Sequence, residues 1–364
     1  MKIECIVEKL KEVIPLVDRV TGKNLTLPIL NSILIIASGK TLKLRATNLD
    51  IGVEIEIPSK IESEGVALVN GSLLNSIIST ITTKSLKIEK IGNNLHLITP
   101  NNSIIIKTYP QEDFPTIPII SGVEFVFEVK KVIQAIKATA YSAPFSDIKP
   151  EISSVYIYEQ NNELFFVATD SFRLAEKRIK IKKTKDFPEI IVPVKNIMEI
   201  VRIFDGVDGD INISVNKNQI SFSHQNIYVT SRLVNGAFPD YRQIIPKEYK
   251  TKAIVLKQDL INSLKISAIF SGKFNELGIT IKPKQKIFEI NTKHQEFGEN
   301  KTRIEGALSG EEIEANFNYK YIFECLQSIP DDSVSLLFNG VHKPLVLRGI
   351  SDQSFLYLVM PMNR

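Results

Sequence analysis

The sequence predicts an α+β protein made of three tandem copies of one unit, each with two helices and several antiparallel strands. Three observations carry that prediction. Thr47, Thr169 and Thr292 each follow an alternating strand pattern and precede a short polar turn, and they stand 122 and 123 residues apart. Each third has an amphipathic helix before that anchor and a second helix after it. Each third also closes on an apolar strand and a proline, at Phe114-Pro115, Phe238-Pro239 and Val359-Met360-Pro361, with the prolines 124 and 122 residues apart. Self-similarity at one fixed period is the signature of a repeat architecture, so it governs every later assignment.

The elements follow in order. The first helices are read at 7–20, with Val7, Leu10, Ile14 and Val17 on one stripe, at 129–141, with Val129, Val132, Ile133, Ile136 and Ala140, and at 256–270, with Leu256, Leu260, Leu264 and Ile269. Apolar residues three and four apart share a helix face, and that face seeks a core. The hairpins come next, over "LKLRATNLDIGVEIEI", "LFFVATDSFRLAEKRI" and "FEINTKHQEFGENKTRI". Their period-2 alternation marks half-buried strands. The second helices are read at 71–81, 194–204 and 318–329, followed by strand–turn–strand runs such as 86–110 with turn signals at Gly92-Asn93-Asn94 and Asn101-Asn102. Boundaries fall at the Pro-rich 114–122 and the charged 244–252, giving domains 1–119, 120–246 and 247–364. Open sheet edges in such units must be paired or covered, so we expect the sheet to continue from one unit to the next and the array to close into a ring.

Composition bounds the function. At 364 residues with 43% hydrophobic and 24% charged residues, the chain is long enough for two or three ordinary cores. Net charge is +4, mildly basic and compatible with a nucleic-acid partner if the cations gather on one surface. They recur on the polar faces of the helices: Lys9, Lys11 and Arg19; Lys130, Lys131 and Lys137; Lys257 and Lys265; then Lys195, Arg202 and Lys320. Lysine suits sequence-blind contact with phosphates, and no arginine cluster suggests base readout. A plain solvated face is the competing reading. Cys5 and Cys325 sit in apolar-periodic surroundings and read as buried hydrophobes. With no signal peptide pattern and no apolar run of membrane-spanning length, the expected location is cytoplasmic.

Catalytic and metal-binding patterns do not emerge. His96, His224, His294 and His342 are scattered, and none pairs with Cys or an acid at metal-ligand spacing. "SGKF" at 271–274 imitates the end of a phosphate loop, but Ser267 stands where glycine is required and Phe274 where Ser or Thr is. Asp170 in "ATDSFR" reads as a turn residue capping its own backbone. No catalytic residue, metal site or cofactor is expected. Two other readings stay open on pattern alone: an enzyme with a site in an interdomain cleft, and an open nucleic-acid binder with aromatic stacking platforms.

"VATDSFRLA", "FPDYRQIIP" at 238–246, "TLPILNSIL" at 26–34 and the terminal "LVMPMNR" resemble, in this order and over the whole chain, the beta subunit of bacterial DNA polymerase III, the sliding clamp. The resemblance implies a DNA clamp fold closed as a head-to-tail homodimer of six domains around duplex DNA. It implies a processivity factor without catalysis, opened by a clamp loader. It also implies a groove for short apolar peptides from the polymerase III catalytic subunit, clamp-loader subunits, other polymerases and repair proteins. Carried over by position, that groove comprises Ile152, Thr169, Ser171, Phe172, Arg173, Leu174, Pro239, Ile244, Tyr321, Pro344, Leu358, Val359, Met360, Pro361 and Met362. The DNA-contacting positions are Lys23, Lys149 and Lys195. The family often carries Gly-His where this chain has Ser171-Phe172, Arg where Gln243 stands, a basic residue in place of Ser72, and Arg-Leu in place of Asn363-Arg364.

Overall fold

A computed structural model describes residues 1–22, 27–146, 148–182 and 186–362. The predicted stripes become buried helix faces in the first two repeats, whereas in the third Leu260 and Leu264 are buried but Leu256, just before the helix, and Ile269 are exposed. α1 (Val7–Val20) buries Val7, Leu10, Ile14, Val17 and Val20, and it runs through Pro15, whose ring removes one backbone bond. α2 (Gly71–Thr80) starts where the Asn70 side chain accepts from Leu73 N at 2.9 Å. α3 (Val129–Thr139), α4 (Val194–Phe204), α5 (Lys257–Phe270) and α6 (Tyr319–Cys325) follow. Two helices stop short of their expected ends. α3 yields to a 3₁₀ turn at Ala140–Ser142 after Thr139 Oγ1 bonds back to the Ala135 carbonyl at 3.0 Å. α6 yields to a second such turn at Leu326–Ser328, because Ile329 precedes Pro330 and is held extended.

The chain forms two compact units. Unit 1 comprises Met1–Lys130 and Lys195–Leu233, so it takes α4 and the strands after it from the middle third of the chain. Its five-stranded sheet runs Lys60–Ser63, Lys2–Ile6, Ser85–Ile91, Asn94–Ile98, Ser103–Lys107. Its eight-stranded sheet runs Val123–Glu128, Asp210–Val215, Gln219–His224, Ile227–Arg232, Ile51–Pro58, Thr41–Thr47, Ser32–Ser38, Gly65–Asn70. α1 and α2 are fastened by Asp18, which accepts from Asn75 Nδ2 at 3.0 Å, and Gly71 lets them approach: a Cβ there would lie 2.6 Å from the Asp18 carboxylate.

Unit 2 comprises Lys131–Val194 and Val234–Arg364. Its nine-stranded sheet runs Ile190–Pro193, Ser154–Gln160, Glu163–Thr169, Arg173–Lys180, Phe355–Val359, Leu345–Gly349, Ser333–Phe338, Thr251–Leu256, Gly306–Gly310. Its four-stranded sheet runs Gly298–Arg303, Ile287–His294, Glu276–Lys282, Ile313–Asn318. All the ladders are antiparallel. The expected continuation of sheet between repeats occurs twice: Ile51–Pro58 pairs with Ile227–Arg232, and Arg173–Lys180 with Phe355–Val359. Apolar side chains on the two faces of the nine-stranded sheet enter different clusters, one centred on Phe288, Phe317, Phe338 and Phe355, the other on Tyr158, Phe165, Leu174 and Leu358.

Two of the three anchors share one turn. Thr47 Oγ1 donates to the Ile51 carbonyl at 2.9 Å, and Thr169 Oγ1 to the Arg173 carbonyl at 2.7 Å. The third differs: the strand Ile287–His294 runs on past Thr292, which is buried opposite Asn300. The polar stretch after Thr292 therefore begins inside the ladder. Both cysteines are free and buried, as expected, and burial pushes both thiols up from the usual range.

Candidate functional site

Strand register assembles a site on one face of the nine-stranded sheet. Thr169 lies opposite Leu174, Leu174 opposite Leu358, Leu358 opposite Val346, and Val346 opposite Leu337. Directly opposed residues share a sheet face, so these five form a row across five strands. Tyr241, from the 3₁₀ turn Tyr241–Ile244, packs into the same cluster as Leu174, Leu337, Val346 and Leu358. The link bearing it presents Pro239 and Ile244 to solvent. An apolar floor with an apolar rim results.

A polar network fixes the link. The Tyr158 and Tyr241 hydroxyls are 2.6 Å apart, Tyr241 donates to Glu176 Oε2 at 2.6 Å, and Arg242 donates to the Tyr158 hydroxyl at 2.7 Å. Arg242 also lies 5.0 Å from the centre of the Tyr158 ring. Burial, and then the adjacent Glu176 carboxylate, hold the Tyr241 hydroxyl far above the ordinary phenol range, so it stays a neutral donor.

The lip is the turn after Thr169. Asp170 Oδ1 accepts from Phe172 N at 3.0 Å and Arg173 N at 2.9 Å, the self-capping role expected of it. Ser171 takes the left-handed conformation at φ 76°, a position that favours glycine. Phe172 is left 63% exposed, and its carbonyl accepts from Met360 N at 2.8 Å. The tail is held again at Met362 N, which donates to the Asn316 carbonyl at 2.7 Å. Met360, Pro361 and Met362 are all half-buried, tied at two points along the edge.

The remaining expected groove residues separate from this floor. Val359 and Arg173 face each other in register one place along, so alternation turns them to the opposite side. Val359 is fully buried in the cluster with Leu345 and Phe317. Arg173 donates to Asp170 Oδ2 at 3.0 Å, the Tyr141 carbonyl at 2.8 Å and Glu324, with its guanidinium 4.5 Å from the Tyr321 ring centre. Arg173 and Tyr321 thus brace the lip from behind. Pro344 is buried just before the strand Leu345–Gly349, and Ile152 is half-buried in the turn before Ser154–Gln160. Val346, Leu337, Tyr241 and the Tyr158–Glu176–Arg242 network were not picked out from sequence; strand pairing, which sequence spacing does not show, brings them in.

Of the expected DNA contacts, Lys149 and Lys195 are exposed, and Lys23 lies outside the described residues. Several helix cations form ion pairs: Lys9 with Glu12 at 2.7 Å, Arg19 with Glu199 at 3.1 Å, Lys130 with Asp208 at 2.5 Å. Among the described residues no cluster of His, Cys, Asp or Glu has a metal-holding arrangement, and no helix is long and apolar enough to cross a membrane.

Family models for the DNA polymerase III beta subunit match the chain throughout: the N-terminal domain over residues 1–118, the central domain over 127–240, the C-terminal domain over 242–363. The chain belongs to the DNA polymerase III beta subunit family. The beta sliding clamp of Staphylococcus epidermidis is 27% identical over 349 residues, 93% of each chain. The crystal structure of the DNA polymerase sliding clamp of Bacillus subtilis matches the fold with a TM-score of 0.94 at 23% identity, covering 100% of this chain and 99% of that one. The beta subunit of Thermotoga maritima matches at 0.93, also at 23% identity, with the same coverage. The fold is the three-domain α+β clamp fold. The family is a non-catalytic processivity factor, and it implies DNA and polymerase as partners and a dimeric ring.

Proposed function

We propose that this protein closes head to tail with a second copy around duplex DNA in the cytoplasm, with domains 1–119, 120–246 and 247–364. The floor of Thr169, Leu174 and Leu358, rimmed by Phe172, Pro239, Ile244 and Met360, takes short apolar tails of the polymerase III catalytic subunit, clamp-loader subunits, other polymerases and repair proteins. The observation that carries the groove is the apolar row of Leu174, Leu358, Val346 and Leu337 across four strands, ended by Thr169 on a fifth, with an exposed phenylalanine at its lip. Binding there supplies no chemistry; it raises the partner's effective concentration on DNA, which is what processivity requires. Ring closure draws support from edge strands: Ser103–Lys107 ends one sheet of unit 1 and Gly298–Arg303 one sheet of unit 2, and Ile105 on the first edge is 59% exposed. Lys149 and Lys195 contact phosphate without reading sequence.

The test is topological. The protein is loaded by its clamp loader on nicked circular DNA, and the DNA is then linearised in moderately high salt. A linked ring stays on circles and runs off free ends. Equal, salt-driven loss from circular and linear DNA sinks the proposal.

A further inference from the structure

The sheet face that carries the groove floor holds a second cavity further along it. Tyr156 lies opposite Val167, which precedes Thr169 by two residues on the same strand. A step of two residues keeps the face and spans about 7 Å. Tyr156, Phe238 and Asp240 line this cavity of about 280 Å³, and Pro239, which rims the groove, lines it too. One wall is a run of stacked rings: Phe238 on Tyr156 with centres 4.9 Å apart, Tyr156 on Tyr158 at 4.8 Å, and Tyr158 on Phe165 at 4.8 Å. Each ring fixes the next, so the wall is rigid before anything binds.

Charge is unevenly divided along that wall. Arg242 lies 5.0 Å from the Tyr158 ring centre and 5.9 Å from that of Phe165, so the chain supplies its own cation at one end. That guanidinium is committed, donating to the Tyr158 hydroxyl at 2.7 Å and to Gln160 Oε1 at 2.6 Å. At the other end, among the described residues, no cation lies over Tyr156 or Phe238, and acids gather instead. Glu189 Oε2 accepts from the Tyr156 hydroxyl at 2.7 Å, and Asp240 Oδ2 accepts from Gln243 Nε2 at 2.7 Å. Each keeps its second oxygen open, and neither carboxylate forms an ion pair among the described residues. Glu159, also at the cavity, is tied to Phe187 N at 2.9 Å. Three acids thus stand against one arginine that is already used.

Carboxylates held beside aromatic rings suit an alkylammonium or guanidinium group. The rings cover its aliphatic stem and attract its charge, and the open oxygens accept its N–H groups. We propose that this cavity takes one lysine or arginine side chain of a partner segment whose apolar tail lies in the groove. An extended chain advances about 3.3 Å per residue, so a basic residue two to four positions from the apolar anchor reaches it. The proposal rests on the groove reading above and extends the partner's chemistry from a purely apolar tail to one with a cationic flank.

The test uses the full chain, a fluorescein-labelled peptide with one Leu-Phe pair in a Ser/Gly/Gln background, and a series in which a single arginine moves from two to six positions on either side of that pair. Anisotropy at low salt should find one position that tightens binding about fivefold. About 1 M salt should remove that gain, and norleucine at the same position should not reproduce it. In Glu189→Gln/Asp240→Asn, with unchanged melting, the arginine peptide should fall to the affinity of the arginine-free peptide, which itself stays within twofold. A gain below twofold at every position, a gain that survives high salt, or one that persists in the variant overturns the proposal and leaves the groove intact. An arginine-free peptide that binds Phe172→Asp as tightly as the unsubstituted chain overturns the groove reading, and the proposal with it.

Discussion

Phe172→Ala isolates the lip from the fold. The ring is 63% exposed, while the backbone around it is fixed by Asp170 and by the bond from Met360. A phenylalanine side chain offers about 200 Å² to bury, so about 125 Å² remains for a partner to cover. At about 25 cal/mol per Å² this caps the gain near 3 kcal/mol. A tail lying along one side of the ring covers about half, contributing about 1.5 kcal/mol, or about tenfold in Kd. The substitution removes no buried contact of consequence, so stability should move by less than about 0.5 kcal/mol. Fluorescence anisotropy with a labelled apolar-tail peptide reads the first quantity, and chemical denaturation the second. Affinity within twofold of the unsubstituted protein, at unchanged stability, refutes Phe172 as part of the groove.

Three further outcomes follow from the same geometry. Arg173→Ala removes the brace behind the lip and should cost about 2–3 kcal/mol in denaturant unfolding, less than a fully buried pair because Glu324 is 43% exposed; a loss below about 0.5 kcal/mol refutes the bracing role. Burial alone would raise the Asp352 carboxyl, but Lys177 at 2.7 Å and Ser354 outweigh it and hold it below its usual value. A depressed folded-state value stabilises the fold above the unfolded one and loses that contribution as acid protonates it, so the melting gap between the protein and Asp352→Asn should be full at pH 7 and close below about pH 4; a constant gap contradicts this. Ile105→Arg puts a charge on an exposed sheet edge and should shift the protein toward monomer in sedimentation velocity, whereas an unchanged dimer excludes that edge from ring closure.

Periodicity made the helices legible to within a residue or two at most ends, because a buried stripe leaves a 3.6-residue signature that survives any tertiary arrangement. It failed where a local rule intervened: Pro330 cut α6 short, and the Thr139 back-bond ended α3 early. The shared turn at Thr47 and Thr169 was visible as a repeated string, whereas Thr292 matched by spacing and sits inside a strand. The site divided along the same line. Leu174 and Leu358 could be named by position, but Val359 came with them although strand alternation turns it to the other face. Tyr241 lay in a quoted motif, yet its bond to Glu176 joins residues 65 apart, a distance no local pattern spans.

The pairing of Arg173–Lys180 with Phe355–Val359 also has a consequence for how the chain is made. The strand that leaves the ribosome first waits for a partner roughly 180 residues downstream, about 10–35 s at ordinary rates of synthesis. Through that interval a partly buried sheet edge stands open in the nascent chain. Ile51–Pro58 waits in the same way for Ile227–Arg232. The repeats therefore cannot mature one at a time as they emerge. Chaperone demand should peak before the final strand is translated, and truncated transcripts should yield aggregates rather than shorter folded arrays.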